Sequence, residues 1–163
     1  MRRSNNQLFK IKKMKISYGK NVYGKEEINA VLNKLKKTTH MGDAVEKFEN
    51  KISKLFSKKY GLMVNSGSSA LMLATNVLNF KKGDEIITPC LNFGTALSSI
   101  IFSGATPILV DVDVNTLQID INKIQQKITK KTKGLIIPNL IGNVPDWKKI
   151  KKIAKRYKLK IIE

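Results

Sequence analysis

The densest run of ligand-holding residues in the chain is Asn65-Ser66-Gly67-Ser68-Ser69-Ala70, where a short apolar run gives way to an apolar helical pattern. Gly67 has no side chain, so a ligand can approach its backbone, and Ser68 and Ser69 add hydroxyl groups. The first N–H groups of the helix that follows have no partner within the helix, and they point at the same spot. Such an arrangement suits an anion, a phosphate above all. It is not a Walker loop, because no Gly-Lys-Ser/Thr follows, and it lacks the second and third glycines of a dinucleotide fingerprint. Taken alone, the segment reads first as a Ser-rich turn that caps a helix.

Further candidates fall at the carboxyl ends of apolar runs, where open parallel sheets bind their ligands. Asn92 and Phe93 follow the run that ends near Pro89, and residues 139–143 follow the run that ends at Pro138. Phe93 offers a ring that can lie against a flat cofactor, and packing into the core is an equally good reading. Asp111 and Asp113 resemble an acid pair, yet no histidine or further carboxylate is placed to complete a metal site, so they read as strand-end and turn residues. Cys90, the only cysteine, has no histidine nearby to activate it and reads as a small residue in or near the core. His40, the only histidine, reads as part of a polar connection.

The elements that would carry these residues follow from periodicity. Ile28, Val31, Leu32 and Leu35 recur at the spacing of one helix face. Residues 38–42 break that helix, and Asp43 is placed to cap a second one bearing Val45, Phe48, Ile52, Leu55 and Phe56. From Tyr60 onward short branched runs alternate with helical patterns. Residues 62–64, 85–88, 107–112, 134–138 and 159–162 read as strands, and 68–78, 93–102, 121–128 and 146–157 read as the helices between them. Five strands joined by four helices imply right-handed βαβ units, hence an α/β fold with a mostly parallel sheet covered on both faces. The last helix sets Trp147, Ile150, Ile153, Ala154 and Tyr157 on one side and six basic residues on the other. With a strand before and after it, its apolar side is expected on the sheet rather than on a membrane or a partner.

Composition narrows the classes. The chain has 163 residues, enough for one domain with a substantial core, and 42% of them are hydrophobic against 26% charged, which argues against disorder. No apolar run is long enough for a transmembrane helix, and no signal peptide is visible. One cysteine excludes an internal disulfide framework, so the reducing cytoplasm is the expected compartment. The net charge of +19 invites a nucleic-acid reading. It is set aside because Arg occurs only at positions 2, 3 and 156, whereas base recognition favours guanidinium groups, and because the lysines spread over nearly every helix. Residues 1–25 carry no acidic side chain and read as a basic amino-terminal arm preceding a domain portion over 26–163.

Several motifs together resemble one family. Asn65-Ser66-Gly67-Ser68-Ser69-Ala70, then Gly83-Asp84-Glu85-Ile86-Ile87-Thr88-Pro89, then Gly104-Ala105-Thr106-Pro107 leading to Val110-Asp111-Val112-Asp113, resemble in order and spacing the DegT/DnrJ/StrS family of pyridoxal-phosphate enzymes. The resemblance runs from about Lys15 to Glu163. It implies an aspartate-aminotransferase-like fold (fold type I), pyridoxal 5′-phosphate or pyridoxamine 5′-phosphate as cofactor, and a nucleotide-diphosphate keto-sugar as substrate. It makes Ser68 and Ser69 ligands of the cofactor phosphate, with Gly67 allowing the approach, and Phe93 the ring that stacks on the pyridine. Asn92 stands where the family usually has Thr. Met41-Gly42 with Phe48-Glu49, the Asn-Ser-Gly-Ser-Ser-Ala form of the cradle, and Leu140-Ile141-Gly142-Asn143 look most like the sugar 3-dehydrase branch that makes 3-deoxy sugars for lipopolysaccharide.

The resemblance therefore implies C3 dehydration of a nucleotide-linked 4-keto sugar, with a sugar aminotransferase of the same family as the alternative. A non-catalytic basic binding module derived from the fold is an alternative of another class. In the family, the Glu matching Glu163 is followed by an Asp that pairs with the pyridine nitrogen, and later by the Schiff-base Lys, or by His in the dehydrase branch. The expectation is an amino-terminal part of a longer enzyme, incomplete at the carboxyl end of its sheet, with no catalytic residue of its own and homodimeric when whole. The sugar, the nucleotide and the involvement of an iron–sulfur cluster stay open at this level.

Overall fold

The computed structural model describes residues 19–37, 39–40 and 42–163. The chain divides into two compact units, one ending at Gly61 and the other running from Leu62 to Glu163. The expected arm over residues 1–25 lies largely outside the described residues, as does Met41.

Among the described residues, the first unit contributes two helices, α1 (Lys25–Lys37) and α2 (Asp43–Leu55). Glu27 reaches back to accept the Gly24 N–H at 2.6 Å, which satisfies a donor at the start of α1. The cap of α2 differs from expectation. Gly42, not Asp43, is the N-cap, and its carbonyl accepts from the N–H groups of Val45 and Glu46. Asp43 lies one position inside, where its charge still favours the positive helix end.

The second unit runs α3 (Gly67–Val77), β1 (Glu85–Pro89), α4 (Gly94–Phe102), β2 (Thr106–Val110), α5 (Ile121–Ile124), β3 (Thr132–Ile136), α6 (Trp147–Tyr157) and β4 (Lys160–Ile162). The four strands form one parallel sheet in the order β2-β1-β3-β4. Alternation along the strands divides the core between the faces of the sheet. Ile86, Ile136 and Ile162 pack with Phe80, Ala96 and Ile100, while Ile87, Leu135 and Ile161 pack with Ile124, Ile150 and Ile153. Both faces are thus covered, which is why the strands carry nearly unbroken apolar sequence. The apolar face of α6 buries Ile150, Ile153 and Ala154, as expected, and leaves its lysines exposed.

Three expectations need correction. Residues 62–64 form no strand, so the sheet has four strands rather than five. A strand exists only through its ladder, and residues 62–64 join none of the strands of the sheet; the Leu62 and Met63 side chains are exposed. β2 stops at Val110 instead of residue 112, because the Asp111 carboxylate takes the Val112 N–H at 2.8 Å and Val112 turns to bridge Ile119. The helix expected over 121–128 is a single α-turn tightening into a 3-10 turn over Gln125–Lys127. Among the described residues, no helix is long and apolar enough to cross a membrane.

Candidate functional site

The strand order sets the site. From β1 the chain crosses to β2 on one side, then returns past β1 to β3 on the other, so connections leave in opposite directions from the β1/β3 pair. A crevice at the carboxyl ends of such strands is the preferred ligand position in open α/β sheets. A cavity of about 670 Å³ lies there. Its rim comes from the loop after β1 (Asn92, Phe93), the end of β3 with Pro138 and Asn139, the end of β4, and the start of α3 (Gly67, Ser68). Ala70, Ala74 and Ala96 leave space that larger residues would fill, and Leu71, Ile136 and Ile162 make the apolar wall. A largely apolar cavity with a few polar groups at one end is the usual form of a cofactor site.

The start of α3 is built by the sequence Ser66-Gly67-Ser68-Ser69. Ser66 is the N-cap: its Oγ accepts the Ser69 N–H at 3.1 Å and meets the Ser69 hydroxyl, also at 3.1 Å. The two serines of the expected cradle therefore divide. Ser68 lines the cavity together with Gly67, whereas Ser69 is bound to the cap. Nothing lies within 4 Å of where a Cβ on Gly67 would stand, so the backbone is open to an approaching group.

Phe93 sits at the N-cap of α4 and is 73% exposed, so it is not the core residue of the competing reading. Its N–H donates to Asn92 Oδ1 at 2.7 Å, and Asn92 Nδ2 donates to the Thr88 hydroxyl at 3.1 Å. Across the cavity, Asn139 Oδ1 accepts from the Trp147 indole at 2.9 Å. Asn143 lies outside the lining and donates to the Thr116 carbonyl. In the first turn of α4, Thr95 lines the cavity. Sequence reasoning passed over Thr95 and the three alanines; small residues at positions 70 and 74, one helical turn apart, were the available signal.

Cys90 is exposed, contrary to the expected core placement. β1 ends at Pro89, and Cys90 keeps only its backbone bond to Val110 while its thiol turns out to Asp111 at 3.5 Å. The Asp111 carboxyl is held below its ordinary range by the Val112 N–H, with the Cys90 thiol and Lys123 adding to the effect. Asp113 accepts from the N–H groups of Asn115 and Thr116, as a turn residue should. Among the described residues no group of three His, Cys, Asp or Glu could hold a metal ion.

These features fit the phosphate and ring of pyridoxal phosphate: an open backbone at a helix start for the anion, an exposed aromatic ring for the pyridine, and a volume suited to a small cofactor. Comparison with known proteins agrees. The chain is 39% identical over 122 residues to the GDP-perosamine synthase of Escherichia coli O157:H7, covering 75% of this chain and 34% of that protein. To the dTDP-3-amino-3,6-dideoxy-alpha-D-galactopyranose transaminase of Aneurinibacillus thermoaerophilus it is 36% identical over 145 residues, covering 88% and 40%. The structure superposes on E. coli GDP-4-keto-6-deoxy-D-mannose-3-dehydratase with bound hydrated PLP at a TM-score of 0.82 and 32% identity, covering 87% and 38%. The chain thus spans between a third and two fifths of the length of these proteins, and its fold is that of the type I pyridoxal-phosphate enzymes. Residues 21–163 match the model of one family, and with the parallel sheet and the cavity at its strand ends the chain belongs to the DegT/DnrJ/EryC1/StrS aminotransferase family.

Proposed function

We propose that this chain carries the phosphate- and ring-holding portion of a pyridoxal- or pyridoxamine-phosphate enzyme acting on a nucleotide-linked keto-sugar, and that the reaction is amino transfer. The observation carrying the proposal is the convergence of the α3 start and the Phe93 ring on one cavity at the β1/β3 strand ends. Amino transfer is supported by the family's description and by the transaminase relative, which aligns over 145 residues. Dehydration at C3 is the second reading, supported by the dehydratase structure and by the resemblance of Leu140-Ile141-Gly142-Asn143 to that branch. Met41, also part of that resemblance, lies outside the described residues.

In this reading the α3 N–H groups at Gly67 and Ser68, with the Ser68 hydroxyl, hold the phosphate through charge-assisted hydrogen bonds. Ser69 supports them indirectly by keeping the helix start in shape through Ser66. Phe93 covers one face of the ring, and Leu71, Ile136 and Ile162 exclude water around it. The bound cofactor supplies an electron sink for charge that develops beside the sugar keto carbon. Among the described residues the lining holds no lysine, cysteine or histidine, and the chemistry of these residues is binding and orientation.

The test is twofold. Pyridoxamine 5′-phosphate should bind the wild type and fail to bind Ser68→Asp, whose charge would face the phosphate. The holoenzyme, given a nucleoside-diphosphate 4-keto-6-deoxyhexose and an amino-acid donor, should release an amino sugar. A product lacking its C3 oxygen would favour the second reading, and no change to the sugar would overturn both.

A further inference from the structure

We infer that Asn92 is a positioning residue: its carboxamide ties the Phe93 backbone to the buried Thr88 hydroxyl and so fixes the aromatic ring at the cavity. The inference rests on the cofactor reading above and adds a residue to it. Phe93 needs such a restraint. The residue is 73% exposed, and its carbonyl accepts the Ala96 N–H at 3.0 Å as the N-cap of α4. Its own N–H lies past the end of β1 and before the helix bonds, so neither ladder nor helix supplies that N–H with a partner. An aromatic ring left to wander would lose affinity on being ordered by a ligand, and a preorganised ring avoids that cost.

The carboxamide is suited to the task because its two ends are different. A backbone N–H only donates, so the atom meeting the Phe93 N–H at 2.7 Å must be the oxygen. The nitrogen end is then directed to the Thr88 hydroxyl, 3.1 Å away, which must accept. Thr88 is 1% exposed and belongs to β1, which pairs with β2 on one side and β3 on the other. The anchor is therefore a central strand of the sheet, and the tether is one rigid amide plane long. Aspartate could replace it: one oxygen accepts from Phe93, and the Thr88 hydroxyl turns to donate to the other. Leucine, of similar size, could do neither.

The experiment compares wild type, Asn92→Leu, Asn92→Asp, Phe93→Leu and the Asn92→Leu/Phe93→Leu pair. Two measurements are made: affinity for pyridoxamine 5′-phosphate, followed by the circular dichroism of its ring, and hydrogen exchange at the Phe93 amide without ligand. The probe carries no aldehyde, so surface lysines form no imines with it. Asn92→Leu should weaken binding about two- to tenfold, no more than loss of the ring itself. It should speed exchange at Phe93, Asn92→Asp should restore both, and in the Phe93→Leu background the Leu substitution at 92 should change affinity no further. Additive losses, or exchange at Phe93 unchanged by Asn92→Leu, would overturn the inference. Unchanged affinity in Phe93→Leu would instead overturn the stacking reading, with the exchange data still deciding whether the tether exists. A wild type that does not bind the probe would overturn both.

Discussion

Ser66 and Ser69 are joined twice, the Ser66 Oγ accepting the Ser69 N–H and meeting the Ser69 hydroxyl, both at 3.1 Å. The pair separates the two duties that one stretch of sequence suggests, shaping the helix and meeting the ligand. Ser66→Ala should lower stability by about 1 kcal/mol, the usual cost of a lost N-cap. Ser68→Asp should leave stability unchanged or slightly higher, since an acid in the first turn suits the helix dipole, while it abolishes binding of pyridoxamine 5′-phosphate. Urea denaturation beside a binding titration checks both, and a Ser68→Asp protein that kept its affinity would show the phosphate lies elsewhere.

Phe93→Leu should reduce cofactor affinity by about 0.5–1.5 kcal/mol, the range for a lost aromatic stacking contact. Its melting temperature without cofactor should match the wild type, because the ring is largely in solvent. Lost stability at unchanged affinity would make Phe93 a packing residue.

Gly134 lies under Phe80: a Cβ there would stand 2.6 Å from Phe80 Cζ and 3.2 Å from the Lys160 carbonyl. Phe80 is 6% exposed and cannot swing away into solvent. Gly134→Ala should therefore cost about 1–3 kcal/mol, as overpacking does. A double-mutant cycle with Phe80→Leu should recover part of that cost, and strict additivity would mean that the ring is not the obstacle.

Asp146 caps α6, and its carboxyl lies below the ordinary range chiefly because it accepts the Lys149 N–H at 3.0 Å. A depressed pKa adds stability that is present above the ordinary carboxylate range and lost as pH falls through the lowered value. Asn keeps the cap without titrating. The stability advantage of wild type over Asp146→Asn, measured by thermal melts, should thus be present at neutral pH, begin to shrink as pH falls to about 4 and be lost as pH falls further through the lowered value. A difference independent of pH would assign the cap to geometry alone.

The strands expected over 85–88, 107–112 and 134–138 and found at 85–89, 106–110 and 132–136 were legible in place, though not in their ends. A buried parallel strand needs apolar residues on both faces, and Ile86 and Ile87 show why: each serves a different core. Residues 62–64 have the same look, but pairing is a relation between segments, and no composition rule contains the partner. The start of α3 was legible in outline, since Gly67 and the serines announce a helix start. That Ser69 would be held by Ser66 was not, because three adjacent hydroxyls are equivalent until backbone angles direct them. Cys90 was misplaced for a related reason: its neighbours are apolar, yet the strand ends one residue earlier.

Among the described residues, three helices leave through a left-handed residue that is not glycine: Ser57 after α2, Asn79 after α3 and Lys158 after α6, with φ between 52 and 54°. Lys158 is the plainest case, for its side chain is exposed and its N–H already returns to Lys155 at the helix exit. A lysine in this conformation holds about 1 kcal/mol of steric strain that glycine would not, part of which the freer unfolded glycine chain gives back. The helix exits are therefore an unused reserve of heat resistance, lying outside the lining of the cavity. Lys158→Gly draws on it without altering a ligand contact, and would give a sturdier background in which the substitutions at the cavity can be compared.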